Sequence, residues 1–262
     1  MLAETRRMQI VDLLRQQEKG AVSIVELSKL LHVSEMTIRR DLDFLEARAI
    51  LRRVHGGAVA FSLEEPGVPF RDRTTEADPQ KKTIGWTAAQ LVNDGDVVIL
   101  DAGTTTLEVA RNIGCKNNLT VITNNIPAAE ELASCPQINT IMLGGILKHI
   151  ELCTVGPIVK QALTYLTADK VFLSVTGISL RRGITDPDMA EVEVKQAMMR
   201  AANEVILVAD SSKWNLTTLV QIAPLSAIHK WVTDDHVSSE TIQALENEGV
   251  QIITPERIQS GG

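Results

Sequence analysis

The chain has 262 residues, 44% of them hydrophobic and 23% charged, with a formal net charge of −7. This is the balance of a globular protein long enough for two domains, one small and one of ordinary size. No apolar run approaches the roughly 20 residues that span a bilayer, and the first ten residues carry charges without an apolar signal core, so neither a membrane partner nor export is expected.

In chain order, Arg6 to Gln17 reads as a packed helix through Met8, Ile10, Val11, Leu13 and Leu14. Ser23 caps a short second helix carrying Ile24, Leu27, Leu30 and Leu31, with Glu26 three residues on as in a capping box. His32-Val33-Ser34 makes a three-residue turn. Ser34 caps the third helix by accepting an N–H of its first turn, and Ile38, Leu42 and Leu45 lay one apolar stripe along it. That stripe holds the helix down while Thr37, Arg39 and Arg40 face outward. Base edges in a major groove require this arrangement, because one arginine can bond guanine O6 and N7 together. Arg52, Arg53 and His55 follow, ahead of Gly56 and Gly57, a pair that permits a tight hairpin turn.

An amphipathic surface helix with solvated charges would explain the third helix taken alone. Helix, helix, short turn, helix and wing in sequence is instead the winged helix-turn-helix plan. Ser34, Thr37, Arg39, Arg40, Arg52, Arg53, His55, Gly56 and Gly57 are therefore expected to face a double-stranded DNA operator, with the wing arginines on phosphates.

Residues 1–59 hold 10 Lys and Arg against 8 Asp and Glu, and the remaining 203 residues hold 16 against 25. Local charge governs phosphate contact within a Debye length of ~8 Å, so an acidic remainder does not exclude DNA. The small excess implies few phosphate contacts per subunit and favours a homo-oligomer on DNA, dimer or tetramer.

Residues 60–80 contain Pro66, Pro69 and Pro79 with little periodicity and read as a linker between domains 1–59 and 81–262. Beyond it, helices at 84–92, 107–113, 128–133, 158–166, 191–202 and 240–248 alternate with strands at 97–100, 119–123, 140–143, 170–175, 205–209, 227–232 and 251–253. The alternation predicts an α/β domain, a doubly wound and mostly parallel sheet in three α/β/α layers. Cys115, Cys135 and Cys153 form no C-x-x-C pair or zinc pattern. They read as buried reduced thiols of a cytoplasmic protein, nucleoid-associated when operator-bound, that needs no metal and no cofactor.

In such a sheet ligands bind beyond the carboxyl ends of the strands. The 97–100 strand leads into Asp101-Ala102-Gly103-Thr104-Thr105-Thr106 and then a helix. Gly103 allows close backbone approach, and three hydroxyls with the helix N–H groups suit an anion. A Thr-rich helix cap would also account for this loop, which is neither a Walker A nor a G-x-G-x-x-G sequence. Thr123-Asn124-Asn125, Gly144-Gly145, Gly177 and Asp210-Ser211-Ser212-Lys213 end other strands. With Lys213 as a countercharge they make a polar rim that fits a sugar phosphate better than a flat apolar ligand.

These motifs resemble the DeoR family of bacterial transcriptional regulators over nearly the full chain. The resemblance rests on Thr37-Ile38-Arg39-Arg40-Asp41-Leu42, Arg53-Val54-His55-Gly56-Gly57-Ala58, Leu100 to Thr106, Thr123-Asn124, Gly144-Gly145, Gly156, Gly177 and Asp210 to Lys213. It implies a sensor domain similar to ribose-5-phosphate isomerase and a phosphorylated sugar effector that relieves repression. It also places a common family lysine at Lys81, and puts Glu191, Glu193 and Lys195 in the helix where the isomerases keep a catalytic carboxylate. Ser174, Asn125 and Trp214-Asn215 depart from the family's usual Gly, Ser and Phe-Gly.

The expected function is a repressor of a sugar-metabolism operon rather than an enzyme. Its effector site comprises Asp101, Gly103, Thr104, Thr105, Thr106, Thr123, Asn124, Asn125, Gly144, Gly145, Gly177, Glu191 and Lys213. The alternative is a phosphosugar isomerase with a fused DNA-binding arm, for which Asp101, Asp186, Glu191 and Glu193 are candidate bases. No pair of them has a spacing that demands catalysis.

Overall fold

A computed structural model describes residues 6–7, 9–10, 13–14, 22–46, 51–54, 56–60, 69–75 and 79–256. Met8, Val11, His55 and the linker positions 61–68 lie outside the described residues, as does the side chain of Arg52. The chain divides into two units, residues 1–73 and 74–262.

In the first unit, Arg6, Arg7, Gln9, Ile10, Leu13 and Leu14 are helical. A two-residue strand, β1 (Val22–Ser23), leads into α1 (Ile24–Leu31), whose Ser23 cap accepts from the Glu26 amide at 3.1 Å. His32 ends α1 in the left-handed region with φ 54°. Ser28 Oγ donates to Val33 O at 2.6 Å and ties the turn. Ser34 Oγ accepts from the Thr37 amide at 3.3 Å and opens α2 (Glu35–Glu46). Strands β2 (Leu51–Val54) and β3 (Gly57–Ala60) complete an antiparallel sheet in the order β1-β3-β2. Ile10, Leu14, Leu27, Ile38, Leu42, Leu45 and Leu51 share one buried core.

The two wing glycines do different work from that expected of them as a turn pair. Val54 pairs with Gly57, so of the two glycines only Gly56 lies in the turn between the strands. Gly56 supplies φ 81°. Gly57 lies in β3, where a Cβ would sit 2.2 Å from Val22 O, so only glycine lets β3 reach β1.

Regular structure enters the segment read as a linker: α3 (Phe70–Thr75) lies inside it and α4 (Pro79–Ala89) begins there. Pro79 starts α4 at a position where a missing N–H leaves no hydrogen bond unmade. The chain continues with β4 (Val97–Leu100), α5 (Thr104–Asn112), β5 (Thr120–Thr123), α6 (Ile126–Leu132) and β6 (Asn139–Met142). A hairpin follows, β7 (Ile146–Lys148) with β8 (Cys153–Val155), then α7 (Pro157–Leu163) and β9 (Ala168–Leu173). After β10 (Gly177–Ser179), β11 (Gly183–Asp186) and α8 (Met189–Arg200) come β12 (Ala202–Val208), β13 (Val220–Ala223), β14 (Lys230–Val232), α9 (Ser239–Asn247) and β15 (Gln251–Ile253).

Seven strands form one sheet in the order β15-β14-β12-β9-β4-β5-β6, with every pairing parallel. Ile99, Ile122, Val171, Leu173, Leu207 and Trp231 belong to its buried core. The chain winds outward from β4 to β6, then returns to lay β9 on the other side of β4. That reversal is a topological switch point, and it opens a crevice beyond the carboxyl ends of β4 and β9. The β7–β8 hairpin and an antiparallel sheet, β10-β11-β13, were not expected from the sequence and stand beside this crevice's strands.

Candidate functional site

Helix α2 turns at about 100° per residue, so Met36, Arg40 and Asp43 fall within about 60° of one another, opposite Ile38, Leu42 and Leu45. Arg40 is exposed and makes no ion pair among the described residues. Arg39 lies to one side, 3.8 Å from Glu35, and Thr37 to the other, half-buried with its hydroxyl 2.9 Å from Ser34 Oγ. Arg53 pairs with Asp43, and its amide donates to Glu46 Oε1 at 2.9 Å, so the wing is fastened to the end of α2.

Asp41, missed by the sequence reading as anything but part of a motif, is 1% exposed. Arg6 Nε donates to its Oδ2 at 2.5 Å and Arg7 Nε to its Oδ1 at 2.8 Å. Arg7 also lies over the Phe44 ring at 3.5 Å. The two arginines clamp α2 to the N-terminal helical residues. An acidic residue between the core positions Ile38 and Leu42 was the available signal.

At the switch point, Gly103 has φ 148°, and a Cβ there would lie 2.7 Å from Ser174 Oγ, so glycine brings the β4–α5 loop against the end of β9. The loop's hydroxyls divide into two groups. Thr106 Oγ1 donates toward Asp101 O at 2.7 Å, with Gly103 O at 2.9 Å, and Thr123 Oγ1 donates to Leu100 O at 2.7 Å. Asn125 Nδ2 donates to Gly103 O at 3.0 Å while its Oδ1 caps α6 by accepting from Ala128 N at 3.3 Å. These three residues brace the loop. The Thr104 and Thr105 hydroxyls make no hydrogen bond among the described residues, and they stand at the N-terminus of α5. Asn124 Nδ2 donates to Thr154 O at 2.9 Å, whereas its buried Oδ1 has no partner among the described residues.

Beneath the loop lies a charge cluster that only the tertiary structure assembles. Lys195, 2% exposed, pairs with Asp101, donates to Ser174 O at 2.8 Å and lies 3.9 Å from Asp186. Asp101 Oδ2 also accepts from the Ser174 amide at 3.2 Å, so this oxygen is held by both Lys195 and the end of β9. Burial opposes the Lys195 charge, but Asp101, Asp186 and Glu191 outweigh it and hold the ammonium above its ordinary value. Burial pushes Asp186 up to about 6, against the pull of Lys195. The sequence signal was a lysine at a core position of α8, among buried Val192, Val194 and Met198.

At the crevice edge, Lys148 of β7 lies 2.6 Å from both Asp188, which caps α8, and Glu191 in its first turn. Glu191 is thus engaged, and Glu193 pairs outward with Lys160. Lys213 sits in a short turn after β12. Gly145 and Gly177 serve packing: a Cβ would lie 2.7 Å from Val155 O at the first and 2.6 Å from Leu216 O at the second. A Cβ at Gly144 would meet nothing within 4 Å. The family departures have structural answers. Asn215 adopts φ 62°, which asparagine tolerates in place of glycine, and Trp214 stacks on Trp231 at 6.3 Å.

The thiols differ from the expectation of general burial. Cys115 is exposed, Cys135 half-buried and Cys153 buried, and all are unpaired. Burial, with Glu191 and Asp101, pushes the Cys153 thiol up to about 12, so it is unreactive. No group of three His, Cys, Asp or Glu among the described residues is arranged to hold a metal ion, and no described helix is long and apolar enough to cross a membrane.

Comparison with known proteins matches the DeoR-like helix-turn-helix domain over residues 6–64 and the DeoR C terminal sensor domain over residues 76–235. The helix-turn-helix transcriptional regulator YulB of Bacillus subtilis (strain 168) is 35% identical over 96% of both chains. The transcriptional repressor GlcR of the same strain is 34% identical over 98% of both. Among solved structures, ribose 5-phosphate isomerase from Plasmodium falciparum aligns with 52% of each chain at 14% identity and a TM-score of 0.38, too slight a likeness to carry an argument. With both family domains matched and full-length regulators as relatives, the chain belongs to the DeoR family of DNA-binding transcriptional regulators and is not an enzyme.

Proposed function

We propose that the protein is a repressor, acting as a homo-oligomer on operator DNA, and that a phosphorylated sugar in the β4/β9 crevice releases it. Arg40 reads a base from the centre of the α2 outer stripe, with Thr37 and Arg39 at its flanks. Arg52, Arg53 and His55 approach the phosphates beside the Gly56-Gly57 wing. Repression rests on the likeness to GlcR, named as a repressor.

The observation that carries the effector reading is the β4–α5 loop. Its frame is braced by Thr106, Thr123 and Asn125, while Thr104, Thr105 and the α5 N–H groups remain to receive an anion. Lys213 supplies countercharge, and Asn124 Oδ1 is a buried acceptor suited to a sugar hydroxyl. Release requires the sugar phosphate to bind the DNA-free state more tightly than the operator-bound one.

A thermal-shift panel of pentose and hexose phosphates, each beside its unphosphorylated sugar, tests this. At 100 times Kd one phosphosugar should stabilise the protein by about 2.7 kcal/mol, a rise of roughly 5–10 °C for a unit of this size. Thr105→Ala should remove most of the rise without lowering the unliganded Tm by more than a few degrees. A panel with no response, or a response equal in Thr105→Ala, contradicts the site.

A further inference from the structure

Met36 is 61% exposed, on the outward face of α2, while Ile38, Leu42 and Leu45 are buried on the inward face and Phe44, on the flank, is half-buried beneath Arg7. Leucine or isoleucine at the buried positions is explained by the core; a solvent-facing methionine in the first turn of a DNA-reading helix is not. It shares its stripe with Arg40 and Asp43, and Asp43 is occupied by Arg53. The groups left to meet base edges at the centre of the stripe are therefore one apolar tip and one guanidinium.

The first residues of a recognition helix are those that reach the bases, and thymine is the base that offers an apolar group, its C5 methyl, in the major groove. A methionine tip is flexible and polarisable enough to cover such a methyl. We infer that Met36 is a specificity-determining residue that reads a thymine methyl. Four residues at 1.5 Å rise separate Met36 from Arg40 by about 6 Å along the helix. At about 3.4 Å per base step, the thymine lies within about two base pairs of the guanine that Arg40 reads. This inference rests on α2 being the recognition helix, and its test separates the two claims.

The parent chain is used to select a binding motif from a duplex library with a randomised core. Each thymine of that motif is then replaced singly by deoxyuridine, which removes the methyl and leaves every hydrogen-bonding group. At one position per half-site the replacement should weaken parent binding about fourfold, the worth of one buried methyl-sized group. Met36→Ala should weaken binding to the thymine duplex by at least as much and be indifferent to deoxyuridine there. Arg40→Ala should keep the deoxyuridine penalty. The inference is overturned if no position responds, or if the full penalty persists in Met36→Ala. If Arg40→Ala also selects an unchanged motif, the recognition-helix reading falls as well; if Arg40→Ala changes the motif, only the role of Met36 does.

Discussion

Replacing Lys195 with methionine should lower the melting temperature of the sensor unit by on the order of 10 °C at pH 8. Among the described residues Lys195 is the one cation paired with Asp101 and Asp186, both nearly inaccessible to solvent. Removing one partner of a buried pair costs about 3–5 kcal/mol, because a charge is left without compensation in a medium that cannot solvate it. Methionine keeps most of the volume, so the loss reports charge rather than a cavity. The deficit should depend on pH. Burial already raises Asp186 to about 6 with Lys195 present, and without it both carboxyls rise further. A carboxyl whose folded value lies above its unfolded one favours the folded state below the unfolded value, and that contribution is lost as pH rises through the folded one. The gap between parent and Lys195→Met, followed by circular dichroism on heating, should therefore narrow from pH 8 to pH 5. Equal melting temperatures at pH 8, or a gap that ignores pH, would contradict the pairing.

Arg40→Ala should weaken binding to the selected DNA motif roughly 5- to 150-fold, corresponding to about 1–3 kcal/mol for a lost base contact. Binding to unrelated duplex should change far less. Arg40 stands out from its neighbours because Arg39 lies near Glu35 and Arg53 is paired with Asp43, whereas Arg40 has no ion pair among the described residues. Arg53→Ala provides the contrast. It should reduce affinity for all sequences by a similar factor and flatten the salt dependence by about one contact. Its effect should be the smaller, since Arg53 must leave Asp43 to meet a phosphate. Fluorescence anisotropy across a salt series distinguishes the two. A motif preference unchanged in Arg40→Ala would remove α2 from base readout.

Much of this architecture is visible in the residues themselves. Long segments with helical patterning, expected at 191–202 and 240–248, are helices at 189–200 and 239–247, within two residues at each end. The run Val97 to Leu100 is a strand covered on both faces, and the loop after it faces the crevice because topology places it there. Among the elements that escaped are the six-residue helix Phe70–Thr75 and three- and four-residue strands such as Ile146–Lys148 and Gly177–Ser179, the strands too short to display an alternation of two. The site divides in the same way. Asp101 and the threonines are legible as a loop, yet which hydroxyls brace it and which remain for a ligand depends on Asn125 and Leu100, contacts that periodicity does not encode. Lys195 meets Asp101 across 94 residues of sequence, so no local pattern joins them.

The grip of α2 on DNA should be conditional on the β4/β9 crevice. The most direct test of this dependence is the affinity of the full chain for its selected duplex, with and without the phosphosugar found by thermal shift. A saturating phosphosugar should weaken binding at least tenfold in the parent, a coupling of about 1.4 kcal/mol, and should leave Thr105→Ala on the duplex. An affinity that stays the same while thermal shift shows the crevice filled would contradict it.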